Sequence, residues 1–403
     1  MKRLSLILVA GLLVFQVGCK KDPDPVTPAG PGESSTDLLV AKFTAAPTMD
    51  GQIDAMWGNA QTLVSNVEVP TLPARGTNFN SDGAGVEEGL GIFYPYSGEK
   101  YNFKMRSGYF NDRIYFLIEW DDAQDSKDRV SWYFDDASKT WKEEHKYANA
   151  ADDKFYEDKF AFQFPIGEVA GFSSATCYAT CHTASTLAKP GDKLVRHYTN
   201  GVNEKIDMWH WKRVRGAYAD QIDDQKITYE DPAKGSSANG RHGDSNGGAG
   251  YKNNAVTLNN GTVDVKVPHY IQPGSTDYYW INKDDIGTKA LEVIAVDGNG
   301  VLTLSDNSTI DPNGDAGYAH ATGNKRAPSV VVSEFTGARA DIDFKANYTG
   351  TGWVVELTRK LNTGDVDDVV FDPAGADIPF GFAIFNAAAI AHGIKPGLVL
   401  KFK

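Results

Sequence analysis

The sequence predicts an all-β fold, an antiparallel β-sandwich of immunoglobulin-like type with loop and short helical insertions. Three observations predict it. Apolar residues recur with period two along most of the chain, clusters of Asn, Gly, Asp and Pro separate those runs, and sustained 3.6-residue periodicity is almost absent. Alternating βαβ units would need long amphipathic helices between strands, and the sequence offers none. At 403 residues, with 41% apolar and 11% aromatic content, the chain can fill a substantial core.

The chain opens on Met1, Lys2 and Arg3, continues through an apolar stretch over 4–17 and reaches Gly18 and Cys19. A charged start, an apolar middle and a small-residue cleavage site make an export signal over 1–18, and the stretch is too short to cross a bilayer comfortably. The small residue before Cys19 resembles a bacterial lipobox, which marks Cys19 for lipidation, although Gln16 departs from the usual apolar residue. A plain cleaved signal with an incidental cysteine is the alternative. Residues 19–37, rich in Pro, Gly and Ser, read as an extended tether, and the folded region is expected over 38–403 as one elaborated domain.

Within it, Ile114, Phe116, Ile118 and Trp120 share one face of an expected strand, as do Phe160, Phe162 and Phe164. The same alternation returns at Val263, Val265 and Val267, at Trp353, Val355 and Leu357, and at Phe380, Phe382 and Ile384. Two segments fit no strand pattern and read as insertions: 172–203, which holds two cysteines, and 234–254, rich in Gly, Ser and Asn and expected to be a mobile loop.

The first insertion carries the chemistry. Cys177-Tyr-Ala-Thr-Cys181-His182 places a histidine directly after a cysteine pair, the attachment signature of a covalent c-type haem, with three residues between the cysteines instead of two. The extra residue adds about 3.3 Å of chain if extended, which can bulge without changing the distance between the sulfurs. A Cys177–Cys181 disulfide also fits the spacing, and outside the cytoplasm a thiol pair ends oxidised or ligated. Zinc is a third reading, lacking a second Cys/His pair at finger spacing. Downstream, Ile206-Asp-Met-Trp-His-Trp-Lys212 read as a strand puts Met208, His210 and Lys212 on one face and Asp207, Trp209 and Trp211 on the other.

Taken in order, Met49-Asp-Gly-Gln-Ile-Asp-Ala-Met-Trp57, Ile114 to Asp122, Asp158 to Pro165, the Cys/Cys/His segment, Asp207 to Lys212, Trp353 to Leu361 and Phe380 to Phe385 resemble one family. It is the haem-binding domain typified by the gamma subunit of ethylbenzene dehydrogenase and its c-type cytochrome relatives. The opening segment is also shared with family 9 carbohydrate-binding modules. The resemblance implies a carbohydrate-binding-module-like sandwich with one haem at its edge, serving as an electron relay. In non-covalent members a methionine about a dozen residues before the Trp-x-Trp pair, and a lysine, hold the iron; here the first position reads His197. The resemblance therefore implies His182 and His197 as axial ligands, with Met208, His210 and His269 as alternatives for the sixth position.

Asp121, Asp122, Asp125 and Asp128, and the turn from Asp311 to Asp315, offer hard oxygen ligands, but solvated acidic loops are the simpler reading. His145, His242, His320 and His392 show no interpretable pattern. No nucleophile elbow or His-Glu-x-x-His helix indicates catalysis. A net charge of -13 excludes nucleic acid and suits a basic redox partner. The expected protein is thus an exported outer-membrane lipoprotein, anchored only by lipid, that carries one covalent haem c. A sugar-binding lipoprotein without haem is the competing reading.

Overall fold

The computed structural model describes residues 36–70, 96–144, 155–179, 199, 201–229 and 240–402, with the side chains of Cys177 and Tyr178 left aside. The export signal, Cys19, most of the tether, His145, Cys181, His182 and His197 lie outside the described residues.

In chain order the strands are β1 (Asp37–Lys42), β2 (Leu63–Glu68), β3 (Lys100–Phe110), β4 (Arg113–Asp121), β5 (Trp132–Asp135), β6 (Thr140–Glu143), β7 (Lys159–Ile166) and β8 (Lys205–Lys212). There follow β9 (Gln221–Thr228), β10 (Arg241–Gly243), β11 (Tyr251–Asn253), β12 (Val256–Asn259), β13 (Asp264–Val267), β14 (Tyr270–Ile271), β15 (Ile281–Asn282) and β16 (Leu291–Val296). The last are β17 (Leu302–Leu304), β18 (Thr309–Ile310), β19 (Val330–Val332), β20 (Ile342–Tyr348), β21 (Gly352–Lys360), β22 (Ile378–Phe385) and β23 (Gly393–Phe402). One α-helical turn, α1 (Phe172–Ala175), leads into a 3-10 turn at Thr176–Ala179.

Twelve strands form one sheet, ordered β1-β23-β2-β3-β4-β21-β20-β9-β8-β7-β22 with β10 beside β9. β22 also pairs with β23, so the sheet returns on itself and encloses its core. The strands expected from period two lie here, and directly opposed residues share a face: Trp353 faces Trp120 across β21 and β4, and Phe162 faces Trp209 across β7 and β8. Trp120, Trp209, Trp211, Trp353, Phe160, Phe162 and Phe382 fill the interior. Trp211 stacks on Phe160 with ring centroids 5.4 Å apart.

One expectation is refined and one corrected. Val265 and Val267 lie in the expected strand, β13, which is outside this sheet: it pairs with β12, and Val263 is exposed in the turn between them. That hairpin belongs to a second layer, made of β5-β6, β12-β13 and β14-β16-β17-β18, with its own core around Trp132, Trp141, Leu302 and Leu304. The expected mobile loop over 234–254 contains β10 and β11 in its described part, hydrogen-bonded to β9 and β19. Glycines permit that close approach: a Cβ at Gly243, Gly247 or Gly250 would collide with Arg339 or Phe335.

Candidate functional site

Because side chains alternate along a strand, burying Trp209 and Trp211 forces Met208, His210 and Lys212 onto the outer face of β8. Register then sets their neighbours. Lys212, His210 and Met208 lie opposite Lys159, Ala161 and Gln163 of β7, which in turn lie opposite Phe385, Ala383 and Gly381 of β22. These rows floor an open cleft of about 830 Å³, solvent at its mouth included. Tyr156, Arg215, Arg241, Tyr251 and residues 389–392 wall it.

One part of the cleft is apolar, from Met208, Ala161, Ala383, Phe385 and Ile390, and the rest carries Lys159, Lys212, Arg215 and Arg241. The cations are held in place. Lys212 is paired with Asp223, Arg215 with Glu157, and Lys159 donates to the Ala389 carbonyl at 2.9 Å while lying over the Phe385 ring. Burial, then Arg215, holds the Lys159 ammonium well below its ordinary pKa. Lys212, against burial, pulls the Tyr251 phenol down to about 8.

Two imidazoles flank Phe385: His392 stacks on it at 4.5 Å, and His210 lies 5.6 Å away. His210 is buried, and burial followed by Lys212 and Lys159 keeps it neutral. Its Nε2 has no hydrogen-bond partner among the described residues, while the Arg241 guanidinium approaches Nδ1 at 3.3 Å. A donor at Nδ1 leaves the ring proton on Nε2, so metal binding through Nε2 would require that contact to part. His392 has the opposite arrangement. Its Nδ1 lies 2.6 Å from the Ile390 carbonyl, which can only accept, so Nδ1 carries the proton and Nε2 the lone pair. Sequence reasoning passed over His392, since only the β22–β23 connection brings it to β8.

The cysteine-bearing insertion borders this cleft. Phe172 of α1 is buried against Met208, Ala383 and Phe385, and the 3-10 turn that includes Cys177 contacts β22 and β23. Of the residues expected at the site, Met208 and His210 are brought to the cleft. His269 is not: it lies beside β14, 3.0 Å from Glu292, with its ring tilted against Tyr270.

The opening motif has a structural use. Glu356 on β21 accepts hydrogen bonds from the Asp50 and Gly51 amides and the Trp57 indole, and Asp54 caps the 3-10 turn that carries Trp57. Gly51 adopts φ +77°, where a side chain would be strained. The buried Trp57 is therefore unavailable as a sugar platform. The acidic loops are likewise internally engaged: Asp125 pairs with Arg213, Asp128 with Arg326 and Asp315 with Lys325.

The family model described as ethylbenzene dehydrogenase matches residues 65–395. None of the curated proteins compared matches. Among solved structures, a family 9 carbohydrate-binding module from Caldicellulosiruptor kristjanssonii in complex with glucose is 9% identical, with a TM-score of 0.27 over 91% of this chain and 95% of that one. The same module in complex with cellotriose is 10% identical, with a TM-score of 0.25 over 91% and 93%. At that overlap neither says anything about this chain's ligand. The family match, by contrast, covers most of the closed sheet, from within β2 to the start of β23, and on it the chain belongs to the ethylbenzene dehydrogenase family, named for an oxidoreductase.

Proposed function

We propose that the chain is an exported, lipid-anchored c-type cytochrome, not itself an enzyme, that passes single electrons between extracytoplasmic redox proteins. The observation that carries this reading is the cleft over β7, β8 and β22, apolar on one side and cationic on the other, with the segment bearing Cys177 beside it. Haem is a flat, largely apolar ring edged by two carboxylates, and both halves of the cleft suit it. In this reading Cys177 and Cys181 hold the ring through thioethers, and His182 and His197 bind the iron, with His392 and His210 as competitors for the second position.

The bound group would supply a one-electron iron couple. The protein fixes its ligands, excludes water with Phe385 and Ile390, and offsets carboxylate charge with Lys159, Lys212, Arg215 and Arg241. Its acidic surface favours a basic partner.

The test is the visible spectrum of mature protein made in a host that matures c-type haem. Low-spin haem that stays on the polypeptide through denaturation and acid–acetone extraction, and is lost in Cys181→Ser, is expected. Colourless protein with Cys177 and Cys181 joined as a disulfide would overturn the reading and favour the sugar-binding alternative.

A further inference from the structure

Across the same sheet from the cleft, the inner face of β8 and β9 ends in a buried ring of aspartates. Asp224 stands opposite Trp209 in the register, so it and Asp207 point inward; Asp368 reaches them from the loop after β21, and Asp244 follows β10. Oxygens of Asp207, Asp224 and Asp368 all lie within 4.8 Å of one another. Two oxygens facing each other across one calcium ion are separated by about 4.6–5.2 Å.

The ring is not satisfied by its own hydrogen bonds. Arg359, buried beneath it, donates to Asp207 Oδ2 at 2.8 Å and approaches Asp368 Oδ1 at 3.4 Å, the Val369 amide also donates to Asp207 Oδ2, and the Thr363 hydroxyl donates to Asp368 Oδ2. Asp224 is fully buried, yet neither of its carboxylate oxygens has a hydrogen-bond partner among the described residues. Asp244, outside the group of three, independently repeats the pattern: it is 4% exposed with both oxygens unpartnered, and its backbone amide donates to the Asp224 carbonyl. With Asp207 Oδ1 and Asp368 Oδ1, six buried carboxylate oxygens lack a hydrogen-bond donor while ionised, and a proton on Asp244 would join it to Asp368.

Charge leads to the same place. Asp367 beside the ring is held by Lys205 and Lys226, so with every carboxylate ionised, five would face three cations and leave two negative charges for an ion to balance. We propose that Asp207, Asp224, Asp244 and Asp368 form a calcium site. Buried carboxylate oxygens from several residues suit calcium over magnesium, which keeps several of its own waters. The ion would tie β8, β9 and the loop after β21 together at the edge of the core. Without it, burial and mutual repulsion raise the Asp244 carboxyl to about 9 and Asp224 well above its usual range, so these groups hold protons that calcium must displace.

The experiment uses purified full-length protein stripped with EDTA and titrated with calcium chloride by calorimetry at pH 7.5. Expected are one calcium per chain, affinity that weakens on acidification, and a Tm rise of about 4 °C at calcium about 100-fold above Kd. Asp224→Asn and Asp244→Asn, near-isosteric and uncharged, should each lose the heat and the Tm rise, whereas Asp125→Asn should keep both. Absence of calcium binding by the wild type overturns the site in favour of shared protons. Binding that survives both aspartate variants overturns it in favour of a surface loop. If one variant fails to fold, the other and the wild-type stoichiometry still decide.

Discussion

Glu356→Ala isolates the latch that joins the N-terminal segment to β21. The wild-type carboxylate accepts three hydrogen bonds, from the Asp50 amide at 3.0 Å, the Gly51 amide at 2.9 Å and the Trp57 indole at 2.8 Å. Trp57 and the Gly51 amide have no route to water, whereas the Asp50 amide is only partly buried. Hydrogen bonds to a charged group are worth about 1.5–3 kcal/mol each, and the variant regains the cost of burying Glu356, so a loss of about 4 kcal/mol is expected. Glu356→Gln can turn its carbonyl to the two amides but then sets an NH2 group against the indole N–H, costing about 2 kcal/mol. Trp57→Phe removes that conflict, so the double variant should be less destabilised than the sum of the singles by about 1.5 kcal/mol. Urea unfolding followed by far-UV circular dichroism measures all three. A Glu356→Ala loss under about 1 kcal/mol, or strict additivity in the cycle, would refute the latch.

Gly108 lies under Phe43, and a Cβ there would run into the ring; Gly108→Ala should cost about 2 kcal/mol, with Phe43→Leu restoring part of the loss in the same urea assay. His210 is kept neutral in the fold, well below its ordinary 6.5, so the unfolded chain takes up a proton that the folded chain refuses. That contribution is complete above the ordinary value and is lost as pH falls through it, so the urea midpoint of wild type should drop more between pH 7.5 and 5 than that of His210→Asn; equal drops would contradict the assignment. Alanine at His197, His392 and His210 in turn should convert only the true sixth ligand's variant to a high-spin, carbon-monoxide-binding spectrum. Three unchanged spectra would remove all three from the iron.

Much of the closed sheet could be read from period-two runs, because a strand with one face in the core repeats its apolar residues every second position whatever its partner. Ile114 to Trp120 and Phe160 to Phe164 obey this directly. The run at Val263 pointed to a strand but not to its sheet, because alternation reports a covered face without saying which core covers it, and here a second layer does. The outward face of β8 was legible for the same reason: the tryptophans must be inside, so Met208 and His210 must be outside.

The sequence by itself determined the strand-rich class, the family resemblance and the segregation of side chains along β8, since each depends on neighbours within a few residues or on motif order. Only the tertiary structure decided what meets what. Pairing of β22 with both β7 and β23 brought His392 against Phe385 and beside β8, and convergence of distant chain segments gathered Asp207, Asp224 and Asp368 around Arg359, with Asp244 bonded through its amide to Asp224. Those residues are separated by up to 161 positions in the chain, and local periodicity carries no information at that range.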